Sequence, residues 1–231
     1  MKTLWPRSIL LIVPLIILTC GTNAQDPNLP VSDFEEAISN KDVQLLDVRT
    51  ASEFTTGHLS HAMQADWLDS AQFRERVSAL DKSKPVYTYC LSGGRSGQAM
   101  NWLRQNGFTA YNLAGGINAW KTANKSVAEV QSVKQITMQE YFAMIPKSQP
   151  VLIDFSADWC PPCIKMAPVL DSLKASQGDK FALLKIDAGA QAEISKQLNV
   201  DVLPTFIVYK NGKEVWRKEG IVDMKELKAH L

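Results

Sequence analysis

Short apolar runs alternate with amphipathic stretches along most of this chain, and that alternation predicts an α/β architecture. Compact runs at 43–48, 86–89, 151–155 and 181–186 predict buried strands. Residues 69–80 repeat at helical spacing, with Phe73, Val77 and Leu80 facing inward. Residues 98–105 place Ala99, Trp102 and Leu103 on one helical face, and 164–174 predict a further helix. Two strings, Ser32 to Glu35 and Thr137 to Glu140, have the spacing of capping boxes and predict helix starts. Asn211-Gly212, between strands expected at 206–209 and 214–217, predicts a tight antiparallel hairpin. Residues 25–30 form a polar, proline-containing spacer. Residues 122–130 are polar and small without a strong period, and they predict an interdomain linker.

Composition adds bounds. The chain has 231 residues, 45% hydrophobic and 21% charged, enough for two small domains. A net charge of +1 gives no case for nucleic acid or an acidic partner. The start of the chain changes the picture more. Lys2 and Arg7 precede an apolar run at 8–19 that Pro14 interrupts. A spanning helix needs roughly 20 apolar residues, so the run fits an export signal. Two exits compete. Cleavage after Ala24 would release a soluble protein. Alternatively, Ile17-Leu18-Thr19-Cys20 resembles a lipobox, although Thr19 departs from its usual small residue, and Cys20 would carry a lipid. Either exit predicts an exported, periplasmic protein, soluble or lipid-anchored, with a membrane contact only through that lipid.

The four cysteines are Cys20, Cys90, Cys160 and Cys163. Their sparseness points to reaction chemistry rather than stapling. Cys160-Pro161-Pro162-Cys163 lies between a predicted strand and a predicted helix. A sulfur at a helix N-terminus is favoured as thiolate, and a second sulfur one turn on can close a disulfide with it. One thiolate then attacks a substrate disulfide or persulfide and the other resolves the product. A zinc site would need a second ligand pair, and only His230 follows, so no metal and no cofactor is expected. Cys90 opens a second motif. Cys90-Leu91-Ser92-Gly93-Gly94-Arg95-Ser96 joins a strand to a helix start, an arrangement that builds an anion cradle of backbone N–H groups. Gly93 and Gly94 can adopt positive φ, which lets backbone N–H groups turn inward. The loop N–H groups and Arg95 are expected to favour a Cys90 thiolate, and then its persulfide.

These motifs carry two resemblances. Residues from about 133 to 231 resemble thioredoxin, through Asp154-Phe155-Ser156-Ala157-Asp158-Trp159-Cys160, Leu203-Pro204-Thr205 and Lys210-Asn211-Gly212-Lys213. Thioredoxins carry Gly-Pro where this chain has Pro161-Pro162. The first of these prolines removes an N–H near Cys160 and stiffens the turn. The resemblance implies a cis peptide before Pro204 beside the cysteine pair, and supporting roles for Trp159 and Asp154. Asp154 matches a buried acid that exchanges protons with Cys163. The lysine that usually accompanies it is replaced by Leu183, with Lys185 two residues on. Residues 31–121 resemble a rhodanese domain, through the Cys90 loop, Asp47-Val48-Arg49, Glu53-Phe54, Gly57-His58-Leu59, and Leu113-Ala114-Gly115-Gly116-Ile117 closed by Trp120. In that family the Asp and Arg organise loops, so Asp47 and Arg49 are read as structural. His58 and His61 lack metal-ligand company. Four residues separate Cys90 from Arg95, against five in phosphatases with a related loop, which favours a sulfane sulfur over a phosphate ester.

The expected layout is a signal at 1–24, a rhodanese domain at 25–121, a linker at 122–131 and a thioredoxin domain at 132–231. The fold class is α/β twice over: a rhodanese-like parallel sheet with flanking helices, then a thioredoxin-like mixed sheet with flanking helices. The expected function is a sulfurtransferase coupled to a redox dithiol. A donor such as thiosulfate, polysulfide or a persulfide loads Cys90, the Cys160/Cys163 pair reduces or accepts that sulfur, and an external thiol reductant restores the pair. The competing expectations are a disulfide oxidoreductase for protein clients and a rhodanese domain that only binds a partner.

Overall fold

The structure, a computed structural model, describes residues 26–128 and 133–231. The expected signal, Cys20 included, and residues 129–131 of the expected linker lie outside the described residues.

The first domain is built on a five-stranded sheet. Its strands are β1 (Asn28–Leu29), β2 (Gln44–Asp47), β3 (Met63–Gln64), β4 (Val86–Tyr89) and β5 (Ala110–Leu113). The order is β1-β5-β4-β2-β3, and every pairing is parallel. A parallel sheet is covered on both faces, which is why its strands read as short apolar runs. Side chains alternate between the faces, so neighbours on β2 serve different cores. Leu45 joins Phe34, Phe54, Ile117 and Trp120, beneath α1 (Val31–Ile38), α2 (Ala51–Thr55) and α5 (Gly116–Thr122). Leu46 joins Phe73, Val77, Ala99 and Leu103, beneath α3 (Ser70–Val77) and α4 (Gly94–Gln105).

Three expectations change here. The string Ser32 to Glu35 does not cap its helix. Pro30 takes the cap position of α1 without a side-chain bond, and the Ser32 hydroxyl turns to Asp33 instead. Proline ahead of the helix pre-sets its own φ and needs no N–H partner, so the helix starts two residues earlier. The polar spacer contains β1, because Asn28 and Leu29 find an open strand edge on β5. Near the other end of the domain, Thr122 still belongs to α5, and Ala128 pairs with His58 in an isolated antiparallel bridge.

The second domain has a mixed sheet of β6 (Val151–Ser156), β7 (Ala182–Asp187), β8 (Thr205–Lys210) and β9 (Lys213–Glu219), in the order β7-β6-β8-β9. Only the β6/β7 pairing is parallel. On one face α6 (Met138–Ala143) and α8 (Ala192–Gln197) bury Tyr141 and Ile194. On the other, α7 (Pro161–Gln177) and α9 (Met224–His230) bury Leu170, Leu173 and Leu227. The Thr137 to Glu140 capping box forms at the start of α6. Asn211 and Gly212 both take positive φ, at 54° and 74°, which matches the twist of the hairpin they close. α7 starts three residues before the expected position, because Pro161 and Pro162 stand in the first turn, where an amide has no partner to lose.

Candidate functional site

The Cys90 site is assembled where β4 ends and α4 begins. The Gly93 amide donates to the Cys90 sulfur at 3.2 Å, and the Ser96 hydroxyl lies 3.3 Å from it. Burial pushes the thiol up. Hydrogen bonds from the Ser96 hydroxyl and from the amides of Ser96, Ser92 and Gly93 outweigh that burial, so the net displacement is downward. The thiolate is therefore more accessible than in an ordinary cysteine. Leu91 stands exposed beside the buried cysteine. Of the two glycines Gly93 takes positive φ, at 92°. Gly94 is already the first residue of α4 and needs no special conformation.

A second glycine, Gly116, read in the sequence only as part of the Leu113 to Ile117 string, shapes the same loop. Gly116 has φ 59°, and a Cβ there would stand 2.5 Å from the Cys90 carbonyl oxygen and 2.7 Å from the Leu91 carbonyl carbon. The start of α5 holds the loop from that side. Ile117 and Asn118 donate their amides to the carbonyls of Cys90 and Leu91, at 2.8 and 3.1 Å.

Arg95 is also engaged by a carboxylate that was not expected at the site. Its guanidinium is paired with Glu53, with Nη1–Oε2 at 2.8 Å and Nη2–Oε1 at 2.6 Å. Hydrogen bonds from Arg95 first, and from Thr50 after burial has pushed the other way, hold Glu53 down at about 2. Glu53 also closes a capping box with Thr50 at the start of α2. The sulfur is thus held by Gly93 and Ser96, and Arg95, raised first by its bonds to Glu53, is raised further by the Cys90 charge, so it also favours the thiolate. Sequence reading placed Glu53 in the string after Arg49 without a site role. Its spacing from Thr50 was the available signal. Asp47 and Arg49 form a buried pair at 2.6 Å, and Arg49 also donates to the Gly57 carbonyl at 2.8 Å, which organises the loop after α2.

The second centre is a Cys160–Cys163 disulfide. Cys160 caps α7, and its sulfur accepts the Cys163 amide at 3.3 Å. The same sulfur lies 3.6 Å from the Leu203 carbonyl oxygen, and the Leu203–Pro204 peptide is cis. Asp154 is buried on β6. Its Oδ2 accepts from Ser156 at 3.1 Å, and its Oδ1 has no partner among the described residues. Burial raises it to about 6, against the smaller pull of Ser156 and Lys185. Lys185 stands opposite Asp154 in the β6/β7 register.

Trp159 joins the two domains. Its carbonyl accepts the Gln64 amide at 2.8 Å. Its ring lies 5.6 Å from the Phe54 ring and 5.2 Å from the Arg76 guanidinium carbon. A cleft of about 260 Å³ opens beside it, lined by His58, His61 and Met63 from one domain and Asp158 and Ile164 from the other. His58 stacks on Phe54 with Nδ1 at 3.2 Å from the Phe54 carbonyl, and no metal-binding group of side chains occurs among the described residues. The strand registers place Tyr89, Asp47 and Gln64 side by side. Cys90 follows the first of that row, and Cys160 follows Trp159, which extends it.

Residues 132–231 match the Thioredoxin family. They are 41% identical over 93 residues to the thioredoxin of Chlamydia trachomatis serovar D, covering 40% of this chain and 90% of that protein. The chain belongs to the thioredoxin family. Thioredoxin X, chloroplastic, of Arabidopsis thaliana is 34% identical over 122 residues, covering 52% of this chain and 67% of that protein. Residues 30–123 match the Rhodanese-like domain, so both domains occur in one chain. Among solved structures, a rhodanese-related protein from Thermoplasma volcanium is 26% identical, with a TM-score of 0.40, covering 45% of this chain and 98% of that one.

Proposed function

We propose that this protein moves sulfane sulfur onto Cys90 and then discharges it with the Cys160/Cys163 dithiol. The Cys90 thiolate attacks the outer sulfur of a donor such as thiosulfate. A Cys90 persulfide forms and sulfite leaves. The Cys160 thiolate then attacks the persulfide, and Cys163 attacks the resulting Cys160 adduct. In sum, the persulfide and two thiols become the Cys90 thiol, the Cys160–Cys163 disulfide and one sulfide ion. Two electrons pass from the dithiol to the sulfane sulfur. An external thiol must then reduce the disulfide.

The observation that carries this reading is the pairing of two sulfur centres in one chain: a hydrogen-bonded Cys90 sulfur and a dithiol already able to close on itself. Tethering raises the effective concentration of each for the other. The neutral character of the Cys90 loop, with Arg95 neutralised by Glu53, suits a sulfur atom better than a phosphate ester. Export is part of the proposal and rests on residues 1–24 alone.

The test is intact mass analysis of the pre-reduced chain after donor treatment, with peptide mapping. One added sulfur on Cys90, followed by its loss in step with Cys160–Cys163 oxidation, is the expected result. A dithiol that stays reduced while Cys90 keeps its sulfur would overturn the coupling.

A further inference from the structure

Three segments are linked in sequence or by hydrogen bonds around Cys160. Trp159 precedes it, the Leu203 carbonyl lies 3.6 Å away, and the Gly220 amide holds the Pro204 carbonyl at 2.8 Å. A partner disulfide must enter among them, because exchange needs direct access to the attacked or attacking sulfur. Helix α3 of the first domain meets this ring on two sides. Arg76 lies over the Trp159 ring, and a Cβ built on Gly220 would come within 3.7 Å of a Glu75 carboxylate oxygen. Cys160 is 0% exposed.

Arg76 is the unusual group in this contact. It is buried, and no carboxylate pairs with it among the described residues. It donates instead to the carbonyl and the side-chain oxygen of Gln64, whose own amide donates to Trp159. A buried guanidinium without a counter-ion is costly unless acceptors and an aromatic face replace its water. Gln64 and Trp159 supply both, and Trp159 belongs to the other domain.

We propose that α3 is a built-in occupant of the partner face of the redox pair. Arg76 on the Trp159 ring, and the Gln64 amide on the Trp159 carbonyl, latch the domains together. Cys160 reaches a disulfide or persulfide partner only when they part. The inference rests on the reading of Cys160 as the attacking sulfur, not on sulfur transfer. It applies to Cys90 as to any other partner, since Cys90 follows Tyr89 at one end of the row Tyr89, Asp47, Gln64 and Cys160 follows Trp159, which is bonded at the other.

The test uses the full chain, reduced, with two readouts: alkylation of Cys160 by iodoacetamide, mapped by peptide, and hydrogen exchange at the Gln64 amide. Arg76→Gln should raise Cys160 alkylation by about tenfold, a factor typical of losing a desolvated cation–π contact. It should speed Gln64 exchange in parallel and leave sulfur uptake by Cys90 unchanged. Equal alkylation in both proteins, or an unprotected Gln64 amide in the wild-type chain, overturns the latch. Alkylation at Cys163 ahead of Cys160 overturns the reading beneath it. Should Arg76→Gln lose sulfur uptake and so prove misfolded, Arg76→Lys carries the test. It keeps the cation without the planar stack and should give a smaller rise, and no rise there overturns the proposal.

Discussion

The backbone amide of Gln64 donates to the carbonyl of Trp159 across 2.8 Å, and that bond ties the edge of one sheet to the residue before the redox cysteines. β3 is an edge strand of two residues, with an unpaired side that needs a partner. The second domain provides one. Because Gln64, Asp47 and Tyr89 share a row, the bond also sets the lateral offset between Cys160 and Cys90. The residue before each sulfur centre thus sits at one end of a single row that crosses both domains.

Gly116 supports the Cys90 loop by lacking a side chain. Gly116→Ala would force a methyl group against the Cys90 carbonyl, at a φ that L residues rarely adopt. Sulfur transfer should fall by at least about tenfold, with a stability loss of about 2 kcal/mol. Insulin-disulfide reduction by the second domain should survive in the folded protein. Steady-state assays of both activities, with a denaturant titration, check this.

Glu53→Gln should change donor preference. Glu53 neutralises Arg95 through two charge-assisted bonds, and Gln leaves that cation unpaired near the cradle. KM for thiosulfate, a dianion, should fall roughly threefold, while KM for an uncharged organic polysulfide stays level. Added salt should erase the difference. Because Glu53 is held down at about 2, its stabilising effect is full above its ordinary 4.5 and lost as pH falls toward 2. The variant should lack that part of the acid-induced loss, measured by thermal melts across pH.

Asp154 works with the opposite sign. The fold raises it from 3.8 to about 6, so the folded chain binds this proton more tightly than the unfolded chain. The carboxylate costs stability above pH 6, the cost falls as pH drops through 6, and it is gone below 3.8. Asp154→Asn should therefore stabilise the protein near neutral pH by up to about 3 kcal/mol and flatten its pH dependence. If Asp154 exchanges a proton with Cys163, the rate–pH profile of disulfide reduction should also lose its inflection near 6. Thermal melts and stopped-flow reduction across pH measure the two effects.

Much of this was legible in the sequence because the features are local. Thr137 caps its helix through a residue three positions on, and Asn211-Gly212 turns its hairpin alone. The cysteine motifs declare themselves by spacing. What escaped depends on residues brought together by the fold. Asn28–Leu29 becomes a strand only because β5 offers an edge. Glu53 meets Arg95 from 42 positions away, and Gly116 matters because the Cys90 carbonyl sits where its Cβ would be. Trp159 looked like a companion of Cys160; its seat between Phe54 and Arg76 needed both domains in place.

The central claim, that the dithiol discharges Cys90, is tested most directly by Cys163→Ser. In the intact pair any adduct on Cys160 is short-lived, since the Cys163 sulfur stands beside it and resolves it. Serine cannot attack as a thiolate, so Cys160 should stay bonded to whatever it met. After donor loading, non-reducing electrophoresis with peptide mapping should find Cys160 joined to Cys90, directly or through one extra sulfur. A trap that holds only foreign proteins, with Cys90 always free, would contradict the relay and leave the second domain as an oxidoreductase for outside clients.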